Sequence, residues 1–150
     1  MKKILIPVDG SQASKKAAEK AAEIGKLIDA ELTFITVANL PTEDKYSYFG
    51  MTVENAFIAN RKNMLKQLII EEGRMLDILV RNIDTENLRI NKKIIVGVPA
   101  EEIVKLAAEE KYDFIVIGRR GFSKVERFFV GSVTQKVISA SPCPVMVVNT

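Results

Sequence analysis

The chain has 150 residues and a net charge of +3, with one cysteine and no histidine. That length suits a single domain, residues 1–150, which would bury roughly 70% of its unfolded surface without a stabilising disulfide. The lack of histidine excludes hydrolysis through an imidazole base and the histidine-rich sites of most zinc enzymes. Cys143 alone makes neither an intramolecular disulfide nor a zinc cluster, which fits a reducing cytoplasm. Basic and acidic residues are mixed along the chain, so no nucleic-acid partner is expected. No apolar run is long enough to span a membrane, and Pro7 and Asp9 interrupt the N-terminal run before a signal-peptide core can form.

Residues Ile4 to Val8 read as a strand, ended by the turn Asp9-Gly10-Ser11. From Gln12 to about Asp29, Ala17, Ala21, Ile24 and Ile28 recur at helical spacing, and the alanines imply close packing on a sheet. Leu32 to Val37 is a second strand, and Ala38 to Gly50 reads as a long loop. From about Val53 to Ile83, an apolar stripe through Phe57, Met64, Leu65, Leu68, Ile69, Met75, Leu76, Leu79 and Ile83 predicts a long helix. Gly73 is a place where it would bend.

Leu88 to Val96 reads as a third strand. Pro99 then opens a helix that runs to about Lys111, with Glu101 and Glu102 complementing its dipole. Asp113 to Ile117 is an apolar fourth strand, Ser132 to Ser141 the last helix, and Val145 to Val148 a fifth strand. Strict alternation of this kind predicts an α/β fold, a parallel sheet with helices on both faces.

The stretch Gly118-Arg119-Arg120-Gly121, followed after nine residues by Gly131-Ser132-Val133-Thr134, sits between a buried strand and a helix start. Glycines there let an anion approach bare backbone, and the first amides of a helix are unpaired donors at the positive end of its dipole. A nucleotide phosphate suits such a site. Arg119, Arg120, Lys124 and Arg127 make the loop basic, which favours a polyphosphate, although the same charges also suit a solvated face. Asp9 would repel a bare phosphate and is better placed on a nucleoside or on a bridging Mg²⁺, or serves only as a turn carboxylate. Ser132 would equally suit a helix N-cap.

These residues resemble the ATP-binding branch of the universal stress proteins. Gly118, Gly121, Gly131 and Ser132 match its pattern Gly-x2-Gly-x9-Gly-Ser/Thr, and Ile6 to Ser11 and Pro142 to Val148 look like the family's two ends. The resemblance covers the whole chain. It implies a five-stranded parallel sheet in the order 3-2-1-4-5, Rossmann-like and of the adenine nucleotide alpha hydrolase type. Strands one and four are then neighbours. It also implies that Pro7, Val8 and Asp9 meet the adenosine, that Val37 lies against adenine, and that Gly118 borders the ribose with support from Ile117. Gly121, Gly131, Ser132, Val133 and Thr134 would hold the phosphates. The role of Arg120 rests on its charge.

The implied function is a cytoplasmic stress-response regulator that binds ATP, with or without Mg²⁺, and acts on an unknown protein partner. The family pairs two copies, and Val145 to Val148, if an edge strand, would join a homodimer. Two alternatives stay open: a slow metal-dependent ATP hydrolase or phosphotransferase with Asp9 as its one acid, and a nucleotide-free dimerising scaffold. The chain lacks a Walker A lysine motif. Asp9 to Ser14 is a poor flavin loop, so a flavodoxin-like carrier is remote. Tyr46, Tyr48 and Phe49 suit packing against the sheet better than covering a base, and Phe128 and Phe129 suit anchoring the loop.

Overall fold

A computed structural model describes residues 1–39, 51–120 and 130–149; the side chains of residues 51–59 fall outside that description. The expectations for Tyr46, Tyr48, Phe49, Phe57, Gly121, Lys124, Arg127, Phe128 and Phe129 therefore lie outside the described residues or side chains.

Five strands alternate with four helices: β1 (Lys3–Pro7), α1 (Gln12–Ile28), β2 (Glu31–Ala38), α2 (Met51–Arg81), β3 (Arg89–Val96), α3 (Pro99–Glu109), β4 (Phe114–Gly118), α4 (Ser132–Ala140) and β5 (Val145–Val148). The strands form one parallel sheet in the order β3-β2-β1-β4-β5. This is the α/β architecture expected from the sequence, and β3 and β5 are its edges.

The central strands are largely apolar because both of their faces are covered, with Thr33 and Thr36 of β2 as buried polar exceptions. Ile4 and Ile6 of β1 and Leu32 and Phe34 of β2 point to a core shared with α1 and α2, while Leu5, Ile35, Ile115 and Ile117 point to a core shared with α3 and α4. The period of two along each strand thus sorts side chains between two helical layers. Helix α1 lies close on the sheet through Ala17, Ala18, Ala21 and Ala22, all buried. A Cβ on Gly25 would come within 3.0 Å of the Leu32 side chain, so bulk there would lift the helix away.

Helix α2 is continuous through Gly73. The glycine lets α2 approach β3: an added Cβ would stand 3.2 Å from Ile94 Cδ1. Among the described side chains of the apolar stripe, burial is complete only in its C-terminal half. Leu76, Leu79 and Ile83 enter the core and Met75 packs against it, but Met64 remains 46% exposed. The cause is length. Glu72 is already level with Thr36 near the carboxyl end of β2, and the 31-residue helix greatly outruns the eight-residue strand it packs on.

Helix α1 leaves β1 toward one face and α4 follows β4 toward the other. Since β1 and β4 are neighbours, their connections diverge and open a crevice beyond the carboxyl ends of the strands, where ligands of open α/β sheets bind.

Candidate functional site

The first wall of the crevice is the turn after β1. The Val8 amide still donates to the Ile35 carbonyl at 2.8 Å, extending the sheet by one bond. Asp9 Oδ1 then accepts from the Ser11 amide at 2.9 Å, and Gly10 at φ 84° takes the left-handed conformation that this tight turn requires. Ser11 Oγ accepts from the Ser14 amide at 3.2 Å, and Ser14 Oγ donates back to the Ser11 carbonyl at 3.0 Å. Helix α1 therefore begins with a satisfied cap, and its N-terminus has less to offer an anion. The turn reading of Asp9 is visible in this geometry: at least one carboxylate oxygen is engaged in holding the turn.

The opposite wall differs. Helix α4 starts from Gly131 as its N-cap, with no side-chain cap and no acidic residue in its first turn. Ser132 is the first helical residue, not the cap. The first intrahelical bond runs from the Gln135 amide to the Gly131 carbonyl at 2.9 Å, so the amides of Ser132, Val133 and Thr134 precede the helix's own donors. Dipole and amides together make this end suited to a negative charge. Of the two helix starts at the crevice, one is capped by its own serine and the other has no side-chain cap among the described residues.

The motif glycines have local reasons to be glycine. A Cβ on Gly118 would meet the Ala13 backbone at 2.8 Å from the carbonyl carbon and 2.9 Å from the oxygen, so β4 and the start of α1 touch backbone to side-chain-free backbone. The Gly131 amide donates to the Arg119 carbonyl at 2.8 Å, and a Cβ on Gly131 would stand 3.2 Å from Arg120 Cα. The two ends of the basic loop are thus pinned together at the mouth of the crevice. The Thr134 hydroxyl, buried, donates to the Gly118 carbonyl at 2.8 Å. Its hydroxyl proton is committed to the strand end, which leaves its amide as the group available to a ligand.

The resulting cavity is about 530 Å³ in volume and is lined by Pro7, Val8, Asp9, Val37, Ile117, Gly118, Arg120, Gly131, Ser132, Val133 and Thr134. Among the described residues, those expected to hold the nucleotide are brought to one place; Arg119 of the basic loop is not among the lining residues, and Gly121, Lys124 and Arg127 lie outside the described residues. The volume falls within the usual range for small-molecule sites.

Sequence reasoning missed Thr36, Glu72, Pro99 and Ile103, which also line the cavity. Thr36 Oγ1 donates to Glu72 Oε2 at 2.8 Å. A signal for Glu72 was present: it falls on the apolar stripe of α2, four residues after Leu68 and four before Leu76, where a carboxylate is out of place unless it has work with a polar partner. Among the described residues, no group of three or more His, Cys, Asp or Glu side chains is arranged to hold a metal ion. No helix is long and apolar enough to cross a membrane, among the described residues.

A family model described as the universal stress protein family matches residues 1–149. A universal stress protein of Methanocaldococcus jannaschii is 37% identical over 149 residues, which span 99% of this chain and 82% of the relative. Among solved structures, the universal stress protein UspA of Lactobacillus plantarum superposes with a TM-score of 0.72 at 24% identity, covering 98% of this chain and 97% of the other. A universal stress protein of Archaeoglobus fulgidus, solved in complex with dAMP, superposes with a TM-score of 0.66 at 25% identity, covering 98% of this chain and 97% of the other.

Proposed function

This chain belongs to the universal stress protein family, and we propose that it is a cytoplasmic regulatory module that binds an adenine nucleotide in the crevice between β1 and β4. The observation that carries this reading is the open N-terminus of α4, whose uncapped amides face the cavity at the point where the connections of β1 and β4 diverge. The complex of the Archaeoglobus fulgidus relative with dAMP supports an adenine nucleotide as the occupant.

In this reading the phosphates lie on the amides of Ser132, Val133 and Thr134, with Gly131 permitting close approach. The nucleoside crosses Pro7, Val8, Ile117 and Gly118, and the base reaches Val37. Arg119 and Arg120 at the crevice mouth favour ATP over AMP through attraction to the outer phosphates, an effect that salt weakens. Magnesium suits this donor set as a passenger on the polyphosphate with Asp9 as an oxygen ligand.

The output is a nucleotide-dependent surface on a homodimer. Strand β5 supports that assembly: it is a sheet edge, it is apolar, and Met146 on it is 44% exposed. Mass spectrometry of small molecules released by denaturing the purified protein tests the reading. An adenine nucleotide in about stoichiometric amount is expected, and a protein that carries none and gains no thermal stability from added ATP would leave the dimerising scaffold in its place.

A further inference from the structure

Glu72 reaches the crevice from α2, on the far side of the sheet from α4. Its Oε2 accepts from Thr36 Oγ1 at 2.8 Å, and Thr36 is itself only 2% exposed. Thr36 alternates with Leu32 and Phe34 toward the face shared with α1 and α2, and the half-buried Glu72 lines the cavity from that side. A half-buried carboxylate gives up part of its hydration, and the Thr36 hydroxyl is one donor that replaces it.

The strand order sets where this carboxylate stands relative to a ligand. Helix α4 follows β4, whereas Thr36 is on β2, and β1 lies between them. Two strand spacings amount to about 10 Å. A nucleotide with its phosphate on the α4 amides and its sugar across β1 therefore brings its base to β2, beside Thr36 and Glu72.

Resting on the nucleotide reading above, we propose that Glu72 selects the base: its carboxylate accepts a hydrogen bond from the exocyclic amine of adenine and disfavours purines with an oxygen at that position. An ionised carboxylate only accepts hydrogen bonds. Adenine offers it the 6-amino donor, whereas hypoxanthine and guanine set a carbonyl oxygen against it, acceptor facing acceptor. Thr36 is the positioning residue, since its hydroxyl holds one carboxylate oxygen and leaves Oε1 to the ligand.

The test is calorimetric binding of AMP and IMP to the full chain and to Glu72→Gln. Glutamine keeps the shape and an acceptor for Thr36, and its amide can donate to a 6-oxygen. The unmodified protein is expected to prefer AMP over IMP by roughly 10- to 100-fold, the scale of one charge-assisted hydrogen bond. Glu72→Gln is expected to bring the two within about 3-fold, weakening AMP and strengthening IMP. Thr36→Val, which keeps the carboxylate but frees it from its anchor, is expected to give an intermediate preference.

An unchanged AMP-to-IMP ratio in Glu72→Gln would overturn the role of Glu72 while leaving the nucleotide site in place, and so would an equal loss for both ligands or the absence of a preference in the unmodified protein. Failure of AMP, IMP and ATP alike to bind the unmodified protein would overturn the nucleotide reading itself.

Discussion

The Thr134 hydroxyl donates to the Gly118 carbonyl at 2.8 Å, so a buried side chain in the first turn of α4 is fastened to the last residue of β4. Two residues of the glycine-loop motif thus hold each other, and the amides of α4 keep a fixed position relative to the strand end. Thr134→Val removes the donor with little change of shape and leaves the carbonyl without this partner. The expected cost is about 1–2 kcal/mol in chemical denaturation. Nucleotide affinity should fall as well, whereas Thr134→Ser should restore most of both quantities.

Gly118 and Gly131 differ in what surrounds them, and their alanine variants should differ accordingly. At Gly118 the new methyl would press on the Ala13 backbone at 2.8 Å, which cannot yield without moving α1. Overpacking of that kind costs about 1–3 kcal/mol. At Gly131 the nearest atom, Arg120 Cα, is 3.2 Å away at the end of a loop. Its φ of −59° suits any residue. Thermal melting should therefore show a large loss for Gly118→Ala and a small one for Gly131→Ala. Equal losses would contradict the backbone contact described at Gly118.

Most of the architecture was legible because the strands and helices carry strong, uninterrupted patterns. The alanines of α1 announced a close helix–sheet contact, and the buried run Phe114 to Ile117 placed the glycine loop at a strand end. What escaped was long-range. Nothing local to Glu72 says that it meets Thr36, 36 residues earlier; that pairing depends on how far α2 slides along β2. The same sliding exposes Met64, which the helical period alone assigned to packing. The close approach of Gly73 to Ile94 was equally hidden, since it depends on the same placement of α2 on the sheet.

Alkaline pH should destabilise the protein through Tyr112. Burial pushes its phenol from 10.0 to about 12, against the core formed with α3 and β4, and the bond it donates to Glu110 Oε2 at 3.1 Å also favours the protonated form. The unfolded chain releases this proton near pH 10 while the folded chain holds it. The associated stability is therefore complete below pH 10 and is lost as pH rises toward 12. Tyr112→Phe should be less stable than the unmodified protein at pH 8, and the gap should narrow between pH 10 and 12 in denaturant titrations. A constant gap would contradict the burial argument.

Assembly through β5 makes a prediction about one amide. The carbonyls of Pro144 and Val148 face β4, accepting from Ile115 and Arg119 at 3.0 Å each. Alternation along the strand then turns the main-chain groups of Val147 away from β4, toward the open edge. Val147→Pro removes the outward donor without touching the β4 ladder, a position where proline is tolerated. Analytical ultracentrifugation should show the unmodified protein as a dimer and Val147→Pro shifted toward monomer. A dimer of undiminished affinity would place the interface elsewhere.

The central claim is that the open end of α4 binds the phosphates of an adenine nucleotide. Isothermal titration of ATP and AMP into the full chain and into Gly131→Val tests it most directly, since valine adds bulk where Arg120 and the ligand approach the backbone. The expected result is saturable binding with one nucleotide per chain, tighter for ATP, reduced at least about 10-fold by the valine while the fold is retained in circular dichroism. Binding by the valine variant with undiminished affinity would contradict the claim, and so would the absence of binding to the unmodified protein.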